Sequence, residues 1–445
     1  MHKINNKVLL GILIMIFFNG ATLMAGNPLL PHVTPEMTTA DYWIAKTGQT
    51  GIQSINMAQI TELNVQTARN LPDILVDLAG IGLQIPPNEI LGWIQIPAFP
   101  KEPQFYQGKP LPDGFWEKIR LSMNLAGVTG MTIGGVTLRR ADIRTFPTDY
   151  AIFSSPDDRE FDNLQETAVN PGDAVVILHQ SANRQWSYIQ TSNYRGWMAT
   201  ANIGITSSQA EWLAFQNPSD FIVVTGPSLM IKDSKQPEAP ELFYEMGARI
   251  PLVAPPLPNS KTYTVILPDQ KPDGTLAIRT VDIPVSEGLH HGYLPFTQTG
   301  LIRQAFKMLG KRYGWGGMFQ GVDCSSFTMD IYRCFGIVQP RNSGEQARSG
   351  LNNVDFSQAD LTVRRQILSR LPAGSLLFLK GHVMLYLGEV DGRYYAIHAL
   401  SAYGQPIGTN QYQRTNVMQV TVSDLELTRT NGNTLLQSIV SAKTF

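Results

Sequence analysis

Two cysteines on one helical stretch constrain how this chain of 445 residues can be held together. From Cys324 to Gly336 the apolar side chains recur at the spacing of one buried helix face, and they are Phe327, Ile331, Cys334 and Phe335. Ten helical residues separate the two cysteines by about 15 Å, whereas a disulfide requires Cα atoms within about 7 Å. We therefore predict two free thiols, with Cys334 in the core and Cys324 at the N-terminus of the helix.

The composition is that of a folded chain with several domains. Hydrophobic residues make up 43% and charged residues 16% of the chain, which excludes global disorder. A chain of this length usually forms two to four domains. The 35 Lys and Arg residues nearly balance the 36 Asp and Glu residues, and no long basic run occurs. We therefore expect neither nucleic acid nor a membrane surface as a partner.

The first 25 residues have the pattern of a secretory signal peptide. Lys3 and Lys7 precede the apolar run 8–18, and small residues follow it. The alternative is a membrane anchor, but the run is much shorter than the roughly 20 residues that span a bilayer. We expect export to the periplasm or the exterior, removal of residues 1–25, and no membrane attachment afterwards.

The rest of the chain divides into four segments by its patterns. Residues 26–129 form helical pieces, including 57–70, and then a Pro-rich extended tail without a recognisable function. Residues 130–205 and 206–295 contain short β-like runs separated by turn clusters, which predicts two small barrels. Residues 296–445 place helices before strands, the order of an α+β domain. The predicted fold class is α+β.

Cys324 is the candidate nucleophile. At a helix N-terminus, the helix dipole and free backbone N–H groups should lower the pKa of a thiol, and the same groups could hold an oxyanion. Such a thiol needs a base, and His382 and His398 follow it in β-like runs. The alternative for Cys324 is a small buried residue without a chemical role. The two histidines favour catalysis.

The hairpin that carries these histidines must place both on one face of the sheet. A two-residue turn at Asp391-Gly392 would pair His398 with Leu385, on the face opposite His382. A three-residue loop at 390–392 would instead pair His398 with Met384, on the face of His382. The Cα atoms of His382 and His398 would then be about 7–8 Å apart, as diagonal neighbours on the two strands. We predict the three-residue loop.

Five short motifs occur between residues 310 and 399. In chain order they are Gly310-Lys311-Arg312-Tyr313-Gly314-Trp315-Gly316-Gly317, Asp323-Cys324-Ser325, Pro340-Arg341-Asn342-Ser343 with Gln346, Gly381-His382-Val383-Met384-Leu385-Tyr386-Leu387-Gly388, and Ile397-His398-Ala399. In content and order they resemble the NlpC-type cell-wall cysteine peptidases. The upstream part is similar to members with a helical N-terminal domain and two bacterial SH3-like barrels, since 144–149 and 194–197 resemble parts of the first barrel.

The resemblance implies a papain-like fold for residues 296–445. It also implies hydrolysis of the bond between D-γ-glutamate and a diamino acid in peptidoglycan stem peptides. By motif position, Cys324 is the nucleophile, His382 the base and acid, and His398 the residue that orients His382. Neither a metal nor another cofactor is expected.

The resemblance also implies substrate-binding residues around the thiol. Tyr313 would lean over the thiolate, and Asp323 and Ser325 would help to hold the substrate. Asp323 has a second interpretation as an ordinary helix N-cap. Tyr194 in the first barrel is a further candidate.

The expected partners are stem peptides or muropeptides, and the expected state is a monomer. Two other functions stay open on the sequence alone. One is a wall-binding protein whose papain-like domain is inactive, and the other is an amidase or acyl-transfer enzyme with the same triad.

Overall fold

The structure is a computed structural model that describes residues 29–46, 55–82, 84–233, 235–349 and 352–445. The predicted signal peptide, residues 1–25, lies outside the described residues. Within the described ranges, no helix is both long enough and apolar enough to cross a membrane.

Four helices and a short hairpin make up the N-terminal region. They are α1 (Ala40–Lys46), α2 (Met57–Asn70), α3 (Pro87–Gln95), β1 (Phe105–Tyr106), β2 (Lys109–Pro110) and α4 (Phe115–Ser122). α2 coincides with the predicted helix and begins at Asn56, which forms a capping box with Gln59. Trp43 on α1 packs into the core of the C-terminal domain, whereas Ile90 on α3 packs against the first barrel. The region thus contributes to the cores of two domains.

Seven antiparallel strands form the first barrel, in the order β5-β4-β8-β7-β6-β3-β9. They are β3 (Ile133–Thr137), β4 (Ala141–Arg144), β5 (Gln165–Val169), β6 (Ala174–Gln180), β7 (Trp186–Gln190), β8 (Arg195–Ala199) and β9 (Ile203–Ile205). Alternate residues of β6 point to opposite faces, so Val175 packs inside the barrel and Val176 packs with the N-terminal helices. The N-terminal helices therefore cover one outer face of the barrel.

The second barrel consists of three small antiparallel sheets that follow α5 (Gln209–Gln216). Its strands are β10 (Phe221–Val224), β11 (Ser228–Ile231), β12 (Leu242–Glu245), β13 (Arg249–Pro251), β14 (Thr262–Gln270), β15 (Leu276–Pro284) and β16 (Leu289–His291). Ile222, Tyr244 and Val265 lie in a core of its own. Two small β domains therefore precede the C-terminal domain.

The C-terminal domain packs helices against a six-stranded sheet of order β17-β22-β18-β19-β20-β21. The elements are α6 (Gln298–Lys307), α7 (Cys324–Arg333), α8 (Ser343–Arg348), β17 (Asn353–Asp355), α9 (Leu361–Leu368), β18 (Leu376–Leu379), β19 (His382–Val390), β20 (Arg393–Gly408), β21 (Gln411–Asp424), α10 (Leu435–Ser438) and β22 (Ile439–Lys443). α7 contacts β19 and β20. Both cysteines are free, and Cys334 is fully buried behind α7. The predicted α+β class and the predicted thiol state are confirmed.

The turn between β19 and β20 differs from the prediction. Val390 pairs with Arg393, which leaves a two-residue turn. Asp391 and Gly392 have φ of 52° and 76°, the two positive values of a type I′ turn. The predicted three-residue loop is therefore wrong.

A β-bulge further along the hairpin shifts the pairing of the two strands by one residue. The pairing shifts between Tyr386 and Gly388, and Gly388 has a φ of 126°. Beyond this bulge, Leu385 pairs with Ile397. His382 and His398 therefore face the same side of the sheet, as predicted, but a mid-strand bulge rather than the turn achieves it.

Gly247, in the turn between β12 and β13, lies where the second barrel packs against α7 of the C-terminal domain. Its φ is 78°, and a Cβ there would lie 2.6 Å from the backbone oxygen of Asp330 and 2.7 Å from Cβ of Arg333, both on α7. Gly274 has a similar φ of 86°, but a Cβ there would meet no atom within 4 Å. Gly247→Ala should therefore cost about 1–3 kcal/mol more than Gly274→Ala, since both share the backbone strain but only Gly247 is crowded. Equal thermal unfolding midpoints for the two variants would contradict this docking.

Candidate active site

The helix that carries Cys324 begins with a complete capping box. The Asp323 carboxylate accepts a hydrogen bond from the Ser326 backbone N–H (2.9 Å), and the Ser326 hydroxyl oxygen accepts one from the Asp323 N–H (2.9 Å). Cys324 is therefore the first helical residue, with 8% of its surface exposed. Asp323 is thus the helix N-cap, which was its second interpretation from the sequence.

Asp323 is also half of a buried ion pair with Arg341. The guanidinium donates to both carboxylate oxygens, at 2.6 and 3.2 Å, and to the Ser325 hydroxyl at 3.0 Å. Its Nε donates to the Thr167 hydroxyl of the first barrel at 2.6 Å. Burial alone would raise the pKa of Asp323, but Arg341 and the hydrogen bonds hold that pKa below its usual range. The charge of Asp323 is thus already compensated, and Arg341 is a site residue to which the sequence analysis assigned no role.

The two histidines form a direct contact. His382 is the first residue of β19, and its Nε2 lies 2.7 Å from Nδ1 of His398 on β20. The other nitrogen of His398, Nε2, lies 2.9 Å from the Ser423 hydroxyl on β21. The Val383 backbone N–H, next to His382, favours the thiolate form of Cys324. The structure therefore brings all three predicted triad residues to one site and adds Ser423 behind them.

Burial decides the ionisation of the thiol and the imidazole in the free protein. Burial, together with the nearby Asp323 charge, raises the pKa of Cys324 to about 12. Burial and the positive charge of Arg429 lower the pKa of His382 to about 4. The lowered thiol pKa expected from the helix dipole is therefore wrong. Both groups are neutral at pH 7, so the proton must move to His382 as the sulfur attacks.

Tyr313 lies close enough to Cys324 for the two groups to interact electrostatically. Its backbone N–H donates to the Met418 carbonyl at 2.9 Å, and its ring centre is 6.0 Å from that of Phe161 of the first barrel. Burial, reinforced by the charges of Cys324 and Asp323, raises the pKa of Tyr313. The phenol therefore stays protonated and can act as a hydrogen-bond donor over the cleft.

Tyr194 lies in an acidic cavity between the first barrel and the C-terminal domain. Its hydroxyl donates to Glu166 at 2.5 Å, and the Thr145 hydroxyl donates to the same carboxylate. The cavity has a volume of about 230 Å³, and Asn342 lies in its wall. Among the residues that the structure describes, no basic side chain pairs with Glu166. Glu166 could not be identified from the sequence, because nothing in the short strand around it marks a glutamate as functional.

Two domain families match the chain. Residues 310–426 match the NlpC/P60 family, and residues 151–199 match the SH3 domain of the SH3b1 type. The C-terminal domain is thus an NlpC/P60 domain preceded by an SH3 domain, which confirms the resemblance to the NlpC-type peptidases and to the first SH3-like barrel.

Two curated relatives carry the name gamma-D-glutamyl-L-lysine dipeptidyl-peptidase. The protein of Bacillus cereus (strain ATCC 10987 / NRS 248) is 30% identical over 235 residues, which cover 49% of this chain and 60% of the relative. The protein of Bacillus subtilis (strain 168) is 26% identical over 244 residues, which cover 51% of this chain and 71% of the relative. The chain therefore spans less than two thirds of the length of the Bacillus cereus protein.

One solved structure is similar over nearly the whole chain. It is an NlpC/P60 endopeptidase from Photobacterium damselae subsp. piscicida, with a TM-score of 0.72 and 18% sequence identity. The match covers 94% of this chain and 98% of that protein. At this identity the likeness shows the fold, and it confirms the predicted fold class.

The neutral state of the thiol predicts how its alkylation depends on pH. In a Cys334→Ala protein, where Cys324 is the remaining cysteine, the rate with iodoacetamide should keep rising from pH 6 to pH 9. The reason is that the thiolate fraction grows about tenfold per pH unit below a raised pKa. The Cys324→Ala protein is the control, and its buried Cys334 should react far more slowly. A rate that is already constant below pH 7 would show a preformed thiolate and contradict the prediction.

Proposed function

We propose that this protein is an exported cysteine peptidase that hydrolyses the bond between D-γ-glutamate and a diamino acid in peptidoglycan stem peptides. The observation that carries the proposal is a cysteine at the start of α7, a helix that packs against the strand of His382, together with the His382–His398 hydrogen bond, within an NlpC/P60 domain. The names of the two Bacillus relatives support the same bond type. Periplasmic or extracellular action, stem peptides or muropeptides as substrates, and a monomeric state belong to the proposal.

The geometry suggests the order of bond changes. Nε2 of His382 is engaged with His398, so Nδ1 takes the proton from Cys324 as the sulfur attacks the γ-carbonyl carbon of D-glutamate. A C–S bond forms, and the backbone N–H groups at the start of α7 stabilise the carbonyl oxygen. His382 then gives this proton to the leaving amine of the diamino acid, and the C–N bond breaks. His382 next takes a proton from water as the water oxygen bonds to the acyl carbon, and when the C–S bond breaks, this proton returns to the Cys324 sulfur.

The acidic cavity suggests which substrates enter. A stem peptide released from the glycan has a free N-terminal ammonium group. Since Arg341 already compensates Asp323, Glu166 is the better counter-ion, with Tyr194 beside it. Asp323 and Ser325 then shape the site through their hydrogen bonds to Arg341. An N-acylated peptide would bring a neutral amide to a desolvated carboxylate and bind poorly.

The alternative functions have less support. A wall-binding protein with an inactive domain does not explain why Cys324, His382 and His398 are all present and why the two histidines are hydrogen-bonded to each other. An amidase or acyl-transfer enzyme would use the same three residues, and the products distinguish it from a peptidase. The acidic cavity favours a substrate with a free amine over one still joined to sugar.

Hydrolysis of two matched tripeptides tests the proposal. L-Ala-γ-D-Glu-diamino acid with a free N-terminus should be cleaved with a much higher kcat/KM than its N-acetylated form, with products weighed by mass spectrometry. Glu166→Gln should lower kcat/KM for the free tripeptide by about 30-fold, corresponding to about 2 kcal/mol of a partly desolvated charge pair. Glu160→Gln is the matched control, because this carboxylate of the same barrel pairs with Arg312 instead.

Three outcomes would contradict parts of the proposal. Equal rates on the two tripeptides in the unmutated protein would exclude the amine-binding cavity. Unchanged hydrolysis in Cys324→Ala would exclude the nucleophile. Cleavage of the tripeptide at any bond other than that between D-γ-glutamate and the diamino acid would exclude the proposed reaction.

A further inference from the structure

Ser423 lies directly behind the histidine pair, on the side of His398 away from His382. It is on β21, where its backbone pairs with Ala396 of β20. Ser423 and His398 are both fully buried. The Ser423 Oγ lies 2.9 Å from His398 Nε2, and His398 Nδ1 lies 2.7 Å from His382 Nε2. Both ring nitrogens of His398 therefore have a defined partner.

The proton positions on His382 and His398 follow from the role of His382 as the base that accepts the Cys324 proton. When the Cys324 proton reaches Nδ1 of His382, both nitrogens of that ring carry protons. The His382 Nε2–H must then be donated to His398 Nδ1, which therefore carries no proton. Burial, together with the His382 charge, lowers the pKa of His398 well below its usual value, so its ring is neutral. Its single proton must then be on Nε2, where the Ser423 oxygen can accept it.

The opposite arrangement cannot support catalysis. If His398 carried its proton on Nδ1, that proton would be donated to Nε2 of His382. The neutral His382 ring would then have its own proton on Nδ1, the nitrogen needed to accept the proton of Cys324. Deprotonation of the thiol therefore depends on which nitrogen of His398 is protonated.

We propose that Ser423 is a positioning residue that keeps His398 in its Nε2-protonated form and thereby stabilises the charged form of His382. This role rests on the proposed function, because the step it assists is the transfer of the Cys324 proton to His382. No atom of Ser423 touches the reacting groups. Its hydroxyl acts by accepting a hydrogen bond that an alanine cannot accept.

Steady-state kinetics on the free tripeptide test the role. Ser423→Ala leaves the buried His398 Nε2–H without an acceptor, so kcat should fall about ten- to a hundredfold while KM changes little. Ser423→Thr keeps the hydroxyl and should recover most of kcat. The matched control is Ser349→Ala, another fully buried serine of the same domain, whose hydroxyl bonds to Lys443 instead. Thermal unfolding of all three variants checks that they fold.

A measurement without substrate separates this proposal from the proposed function. In protein labelled with ¹⁵N-histidine, the ring nitrogen shifts should show His398 protonated on Nε2, and Ser423→Ala should move the proton toward Nδ1. The proposal is overturned if His398 of the unmutated protein is protonated on Nδ1, or if Ser423→Ala leaves both the shifts and kcat unchanged. If no protein cleaves any tripeptide but the shifts behave as expected, the proposed substrate fails and the role of Ser423 stands.

Discussion

The buried ion pair between Asp323 and Arg341 is the interaction on which the rest of the site depends. Asp323 starts the helix whose first residue is Cys324, and Arg341 lies on the loop that precedes α8. Removing one partner of such a pair leaves an uncompensated buried charge, which typically costs about 3–5 kcal/mol. The Asp323 carboxylate also accepts the Gly316 N–H at 3.1 Å. One pair therefore fixes the helix start and two loops around the thiol.

The first barrel forms hydrogen bonds to the loops around Cys324. Besides the bond from Arg341 to Thr167, the Gln165 amide donates to the Gly316 carbonyl at 2.9 Å, and Arg140 donates to the Gly317 carbonyl at 2.6 Å. Both glycines have positive φ, at 57° and 84°. The barrel thus holds in place a loop of the C-terminal domain in which a Cβ on either glycine would lie within 3 Å of a barrel side chain, Gln165 for Gly316 and Arg140 for Gly317. A barrel in this position also supports the proposed selection of short, free peptides.

Features set by local patterns could be predicted from the sequence. The apolar spacing after Cys324 defined a helix, excluded a disulfide and placed Cys334 in the core. The requirement that His382 and His398 act together predicted both on one face of the sheet, which the structure confirms. The turn was predicted wrongly because a bulge at Gly388 shifts the strand pairing by one residue, as a three-residue loop would. The spacing of residues in the sequence does not distinguish a bulge from a longer loop.

Features set by burial or by distant partners could not be predicted. The lowered thiol pKa was inferred from the helix dipole, but burial has the larger effect at Cys324. Arg341 and Thr167 are 174 positions apart in the chain, and Glu166 is marked by no motif. Their roles follow from how the barrel docks on the C-terminal domain, and no local pattern encodes that arrangement.

A double-mutant cycle between Arg341→Lys and Thr167→Val tests most directly whether the barrel completes the active site. The readout is kcat/KM for the free tripeptide. Since the two side chains share a buried hydrogen bond, their effects should not add, and the coupling should be about 1–3 kcal/mol. Additive effects, within about 0.5 kcal/mol, would show that the barrel and the catalytic centre act independently and would contradict the account.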